Sequence, residues 1–411
     1  MHTCMTEKQA DAIGKISRDY CKSFYIFDIE KLYGWYDVLK NKLDTRLNNR
    51  ASLVYAIKAN PFLTPYMNEK VDYFEVCSEG EYKICMERGI PTEKIVLSGV
   101  YKREYFSSKV MHEGFKGILT VESQTQYKNI KAMAETIAEE SFAILPRLTS
   151  GNQFGMDEDT VVSLVKDASE SGFLHVVGIQ YFSGTQKKKM SVIEEEVKNL
   201  DRVCDRIKAE TGTEIDYIEY GPGFFFDYYN DTDHLDVFDA IIDIISPYID
   251  KYEFALESGR FLAASCGFYA TPIVEMKKND SKNYILVDGG IHHVNYYGRM
   301  LGMNEPKVGH IDSRWHDVTN GLGDADDTEY DVVGSLCTVS DVLLKKHKFF
   351  MEPFVGDILV FCDAGAYSCT ESSVLFLSHE MPGIYALMPN GDIKELRQWT
   401  ESWCLNTEGM Q

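Results

Sequence analysis

Between about residues 50 and 260 the chain alternates short β-rich runs with charged, helix-compatible stretches, and this alternation limits the fold more than any other feature. The runs are 53–57, 73–76, 94–97, 118–121, 142–148, 175–181, 217–220 and 253–256. Stretches such as 191–210 join them, with apolar Val192, Ile193, Val197, Leu200 and Val203 at helical spacing. Eight such repeats fit an α/β fold of the (β/α)8 barrel type. A doubly wound open sheet alternates in the same way and is the competing architecture. From Gly267 the texture changes to strand-like runs (284–287, 358–361, 374–377) split by Gly, Asp and Asn turns, which predicts an all-β second domain. The strand-like stretch 23–27 precedes the barrel and is expected to join that later sheet. The predicted division is a barrel over 28–266 and a β-rich domain formed by 1–27 and 267–411.

In a barrel, function gathers at the C-terminal ends of the strands. The first run closes in Tyr55-Ala56-Ile57-Lys58-Ala59-Asn60. A lysine ending an apolar strand is desolvated, which lowers its pKa and leaves part of the amine neutral and nucleophilic. Such an amine suits Schiff-base formation with an aldehyde cofactor. A strand-end lysine also snorkels to solvent, so the hexapeptide alone leaves two readings. The second run ends in Glu75, followed by Cys77-Ser78-Glu79-Gly80-Glu81, and the fifth carries Arg147. The sixth leads into Phe182-Ser183-Gly184-Thr185-Gln186. The seventh gives Gly221-Pro222-Gly223-Phe224 and the eighth Glu257-Ser258-Gly259-Arg260. Glycines let backbone N–H groups approach an anion and an arginine adds a fixed fork of donors, so these last two ends fit a phosphate site.

Composition narrows the partners. A formal charge of −22 opposes binding to nucleic acid or anionic membranes. No apolar run approaches the roughly 18 residues of a membrane span, and the first eight residues carry no hydrophobic signal region. The 10 cysteines lack CxxC or paired spacing, favouring reduced thiols over disulfides or zinc. A cytoplasmic protein is expected. His292-His293 after Asp288-Gly289-Gly290 is a weak metal signal, because adjacent residues of a strand face opposite ways. No metal site is expected, and His292 is a tentative substrate-pocket residue.

Taken together, these separated motifs resemble the ornithine/diaminopimelate decarboxylase family, fold type III enzymes that use pyridoxal 5′-phosphate (PLP), over about residues 25–380. The resemblance implies that Lys58 forms the Schiff-base link. Gly221, Gly223 and Arg260 would hold the phosphate, with Gly184, Gly259, Glu75 and Arg147 in the cofactor site. Glu257 would face the pyridine nitrogen and keep it protonated, making the ring an electron sink. Tyr367, in Asp363-Ala364-Gly365-Ala366-Tyr367, matches the family tyrosine near the phosphate. Gly334-Ser335-Leu336-Cys337 matches the family Gly-x-x-Cys segment, whose cysteine reaches the partner subunit's site and reprotonates carbon after CO2 leaves. That implies a homodimer with shared sites. Alone, Cys337 also reads as a buried structural thiol.

Two positions depart from the family pattern. Phe182 stands where the family usually stacks a histidine on the cofactor ring. It keeps a stacking contact of roughly 0.5–1.5 kcal/mol but cannot hydrogen-bond or titrate. Thr338 stands where relatives acting on diamino acids carry an acidic residue for the distal ammonium. Leaving a buried charge unpaired costs about 3–5 kcal/mol, so a neutral or tethered side chain is the expected substrate feature. A subgroup similar to the glutamyl-carrier-protein decarboxylase of butirosin biosynthesis acts on tethered glutamate. The alternatives are decarboxylation of free diaminopimelate, ornithine or lysine, with a carboxylate from Asp324, Asp326, Asp327 or Glu329, and a racemase or inactive PLP-binding homologue. The run Lys187-Lys188-Lys189 reads either as a contact for an acidic carrier or its phosphate, or as a solvated loop.

Overall fold

The computed structural model describes residues 5–137, 141–230, 232–298, 304–313, 318–319 and 327–409. Contact clustering gives two units, one of residues 35–226 with 232–262, the other of 1–34, 227–231 and 263–411.

In the first unit, parallel strands Ala51–Ala56, Tyr73–Val76, Ile95–Leu97, Ile118–Val121, Phe142–Leu148, Ile179–Phe182, Tyr217–Gly221 and Glu253–Ser258 pair in sequence. The last pairs with the first, so the sheet closes as a barrel. The first strand is buried along its whole length, as a strand with a packed interior on one side and helices on the other must be. Helices alternate with the strands. Met190–Thr211 buries Ile193, Val197, Leu200, Val203 and Ile207 on one face and stops at Gly212, whose φ of 77° is the left-handed C-cap that glycine adopts without strain. Val192, read from the sequence as part of that face, is exposed instead.

The predicted sixth run, 175–181, is two strands. Leu174–Val176 pairs with the start of Phe142–Leu148, and Ile179–Phe182 pairs with its end. Between them Gly178 packs against the neighbouring strand so closely that a Cβ would sit 2.1 Å from the Tyr217 carbonyl oxygen. The apolar residues on both sides of Gly178 hid this break.

The second unit holds a ten-stranded mixed sheet. Phe24–Asp28 lies within it, antiparallel to Gly267–Asn279 and parallel to Gly383–Leu387. Helix Glu7–Asp19 begins with a capping box of Thr6 and Gln9. It buries Ala10, Ile13 and Ile16 in a cluster with Phe24, Ile26, Phe268 and Val360. The predicted strand at 374–377 is absent. Phe376–Ser378 forms a helical turn with Phe376 half exposed, so an apolar run there does not mark a buried strand. Among the described residues eight cysteines are free thiols. No helix among the described residues is long and apolar enough to cross a membrane.

Candidate active site

Lys58 follows the first barrel strand in the short turn Ile57–Ala59. Its Nζ donates to Glu75 Oε2 at 2.7 Å and lies 3.5 Å from Cys77 Sγ. Burial alone would raise the Glu75 carboxyl, but the Lys58 ammonium, with help from Cys77 and Arg147, holds it below the ordinary carboxylate range. Arg147 on the fifth strand is buried and donates to Glu122 Oε1 at 2.9 Å.

Glu257, on the eighth strand, is the electrostatic opposite of Glu75. Burial and then the Glu75 charge push it up to about 7, against the pull of Lys58 and Arg147. Its neighbour Glu219 is raised well above the ordinary carboxylate range by burial and then by the Glu257 and Glu75 charges. Gln180 Nε2 spans the two, donating to Glu219 Oε1 at 2.8 Å and to Glu257 Oε1 at 2.9 Å.

The loops after the sixth and seventh strands close on each other. A Cβ on Gly221 would lie 2.4 Å from Phe182 Cδ2 and 3.1 Å from Glu257 Oε2. Gly223 has φ +65°, and a Cβ there would lie 2.1 Å from the Gly184 carbonyl oxygen. Only glycine fits both demands at that position. Gln186 and Phe226 exchange hydrogen bonds of 2.9 and 2.7 Å, and Lys187 N donates to Gly223 O at 2.9 Å. Gly259 forms the bend after the eighth strand, and buried Arg260 opens helix Arg260–Ala263.

The lysine run needs correction. Lys187 Nζ is bonded to Glu196 Oε2 at 2.7 Å in a pair about nine-tenths buried, and Tyr220 OH and Ser183 Oγ meet the same carboxylate. Lys187 therefore pins its own loop to the following helix, and only Lys188 and Lys189 are exposed.

The remaining predicted residues lie in the β-rich unit. Cys337 is exposed on a loop held by buried Asp341, whose carboxylate accepts from Ile291 N and Leu336 N at 2.8 Å each. A Cβ on Gly290 or Gly334 would come within 2.6 or 2.3 Å of that carboxylate, so both glycines admit it. Thr338 Oγ1 lies 2.9 Å from Ser340 Oγ, and the Asp341 carboxylate of the same loop is engaged by backbone N–H groups. Tyr367 has φ 65°, a strained value for a tyrosine and one that marks sites under functional constraint. His292 and His293 sit in a turn and not on a strand, with ring centroids 4.0 Å apart. Burial and His293 hold His292 at about 3, so it is neutral. Among the described residues no group of three or more His, Cys, Asp or Glu could hold a metal ion. Asp327 is exposed and bonded to Lys348 at 2.9 Å, while Asp324 and Asp326 lie outside the described residues.

A family model for the pyridoxal binding domain of the pyridoxal-dependent decarboxylases matches residues 38–264, over half the chain. The chain belongs to the pyridoxal-dependent decarboxylases. This decarboxylase is 26% identical to the L-glutamyl-[BtrI acyl-carrier protein] decarboxylase of Niallia circulans, across 94% of this chain and 93% of that relative. It is 24% identical to a diaminopimelate decarboxylase of Helicobacter pylori (strain J99), across 97% and 98%. A crystal structure of diaminopimelate decarboxylase from Helicobacter pylori complexed with L-lysine superposes with a TM-score of 0.80 at 22% identity, covering 95% and 98% of the two chains. The protein is thus a PLP-dependent carboxy-lyase acting on an amino acid.

The residues fit that cofactor. PLP brings an aldehyde, a basic ring nitrogen and a phosphate, and the decarboxylase offers a lysine amine, a buried carboxylate held near pH 7, and a glycine turn. Buried Lys102 and Glu122, which pairs with Arg147, follow the third and fourth strands and carry no motif that marks them in the sequence. Gln180 and Glu219 were also missed. A polar residue inside an otherwise apolar barrel strand was the signal for both.

Proposed function

We propose that this decarboxylase removes the α-carboxylate of an amino acid whose side-chain end is tethered, with glutamate thioesterified to a carrier protein as the leading case. The observation that carries the reading is Thr338, whose hydroxyl lies 2.9 Å from Ser340 Oγ, at the position where the family resemblance implies a carboxylate for a free diamino acid. The likeness to a carrier-protein decarboxylase over nearly the whole chain supports it. Of the described acidic residues of the 324–329 run, Asp327 pairs with Lys348 at the surface and Glu329 is exposed.

In this reading Lys58 presents its amine at the end of the first strand, and Glu75 holds that amine whenever it is not linked to the cofactor. Bound PLP supplies the aldehyde that captures an amine and a ring that accepts the electron pair left by departing CO2. Glu257 holds negative charge for the ring nitrogen, and Gln180, which donates to Glu219 as well, keeps it in register. Arg260 and the 221–223 turn bind the phosphate. Cys337, serving the partner subunit's barrel in a homodimer, delivers the proton from Sγ.

Thr338→Asp tests the substrate assignment. Restoring a carboxylate should raise kcat/KM for free ornithine or meso-diaminopimelate by at least about tenfold, since the missing pair is worth more than 1.4 kcal/mol. The tethered substrate should lose activity in the same variant. Efficient use of a diamino acid by the unaltered enzyme, with no gain in the variant, would remove the basis for the reading.

A further inference from the structure

The ends of the second and third barrel strands open onto a cavity of about 520 Å³ that the chemistry above does not use. Its walls come from Cys77, the start of helix Glu79–Glu87, the end of strand Ile95–Leu97 and the segment 101–106. One wall adjoins the reacting amine, because Cys77 Sγ is 3.5 Å from Lys58 Nζ. A volume of this size is that of a small-molecule site.

The charge of the lining runs against that of the molecule. Lys83, Lys102 and Arg103 face a single carboxylate, Glu79, in a chain carrying −22 overall. Glu79 is already engaged, by Lys83 at 3.1 Å and by the Tyr105 hydroxyl at 2.8 Å, and Arg103 leans on the same hydroxyl at 3.3 Å. Lys102 is the most informative member. It is buried, and its ammonium donates only to neutral oxygens: Gly99 O at 3.0 Å, Thr120 Oγ1 at 2.9 Å and Gln126 Oε1 at 3.4 Å. Among the described residues it has no ion-pair partner. A buried cation bonded only to neutral oxygens is costly, and burial brings its pKa down to about 8 against the longer-range pull of the Glu122 carboxylate. An oxyanion in the cavity would supply the missing charge.

We propose that this cavity is an oxyanion subsite, in which Lys83, Lys102 and Arg103 hold a carboxylate or phosphate on the part of the substrate beyond the reacting amino acid. It rests on the reading that the substrate extends past a free amino acid.

The test uses PLP-loaded enzyme, so the cofactor's own phosphate site is filled. Inorganic phosphate and glutarate are titrated by calorimetry into the unaltered protein, a Lys83→Ser/Arg103→Ser double variant, a Lys102→Met variant, and a Lys109→Ser control outside the cavity. Retained visible absorbance of bound PLP shows that each variant is folded. At least a tenfold loss of affinity is expected in the double variant and in Lys102→Met, with the control unchanged. Tighter phosphate than glutarate assigns a phosphate, and the reverse a carboxylate. Absence of binding to the unaltered protein, equal affinity in all variants, or equal loss in the control would overturn the subsite. Those results leave decarboxylation of a tethered substrate standing, whereas turnover of free diamino acids alone would sink the substrate reading and leave the measured anion site intact.

Discussion

Lys58→Ala is expected to lower CO2 release by at least about 10⁴-fold, the scale of losing a covalent catalytic amine. Buried Lys102 is not a substitute, because it is anchored to three oxygens in the wall of the adjoining cavity. The variant should still fold, because the Lys58 side chain is 41% exposed and makes no contribution to the barrel's packed interior. Its removal leaves Glu75 buried without its cation, so a modest drop in melting temperature should accompany the loss of activity. Single-turnover CO2 assays with circular dichroism separate the two effects. Activity within about tenfold of the unaltered enzyme would show that the reacting amine lies elsewhere.

Glu257→Gln should cost about 10²–10³-fold in kcat, because an amide preserves shape but cannot hold negative charge for the ring nitrogen. A pH signature distinguishes this from a packing defect. In the cofactor-free barrel, burial raises Glu257 from 4.5 to about 7. Its contribution to stability is therefore full below about 4.5 and is lost as pH rises through 7, since the unfolded chain releases that proton more readily. A protonated ring nitrogen beside the carboxylate reverses the cost. The gain in melting temperature on adding PLP should consequently grow between pH 5 and pH 8, and should grow less in Glu257→Gln. The same pH slope in both proteins would show that Glu257 does not carry the charge.

The barrel was legible in the alternation of eight β-rich runs with helix-compatible stretches, and the site in the residues at the ends of those runs. Lys58, Glu75, Glu257 and the 221–223 turn all follow from reading strand ends. Glu122 and Lys102 obey the same rule at the fourth and third strands, but no motif marks them in the sequence. The Gln180–Glu219–Glu257 relay depends on which strands become neighbours, which local patterning does not state. Lys187 shows the opposite error. A lysine triplet reads as solvated, yet Glu196, nine positions on, draws its first member into a buried pair. The histidine pair was argued on strand geometry and occupies a turn, where the two rings meet.

The substrate assignment is tested most directly by CO2 release from the PLP-loaded protein, comparing glutamate thioesterified to a phosphopantetheinyl carrier with free L-ornithine, L-lysine, meso-diaminopimelate and L-glutamate. Turnover of the thioester with at least about hundredfold lower kcat/KM for each free diamino acid is the expected result, matching the unpaired distal ammonium opposite Thr338. Rapid turnover of a free diamino acid and none of the thioester would contradict it.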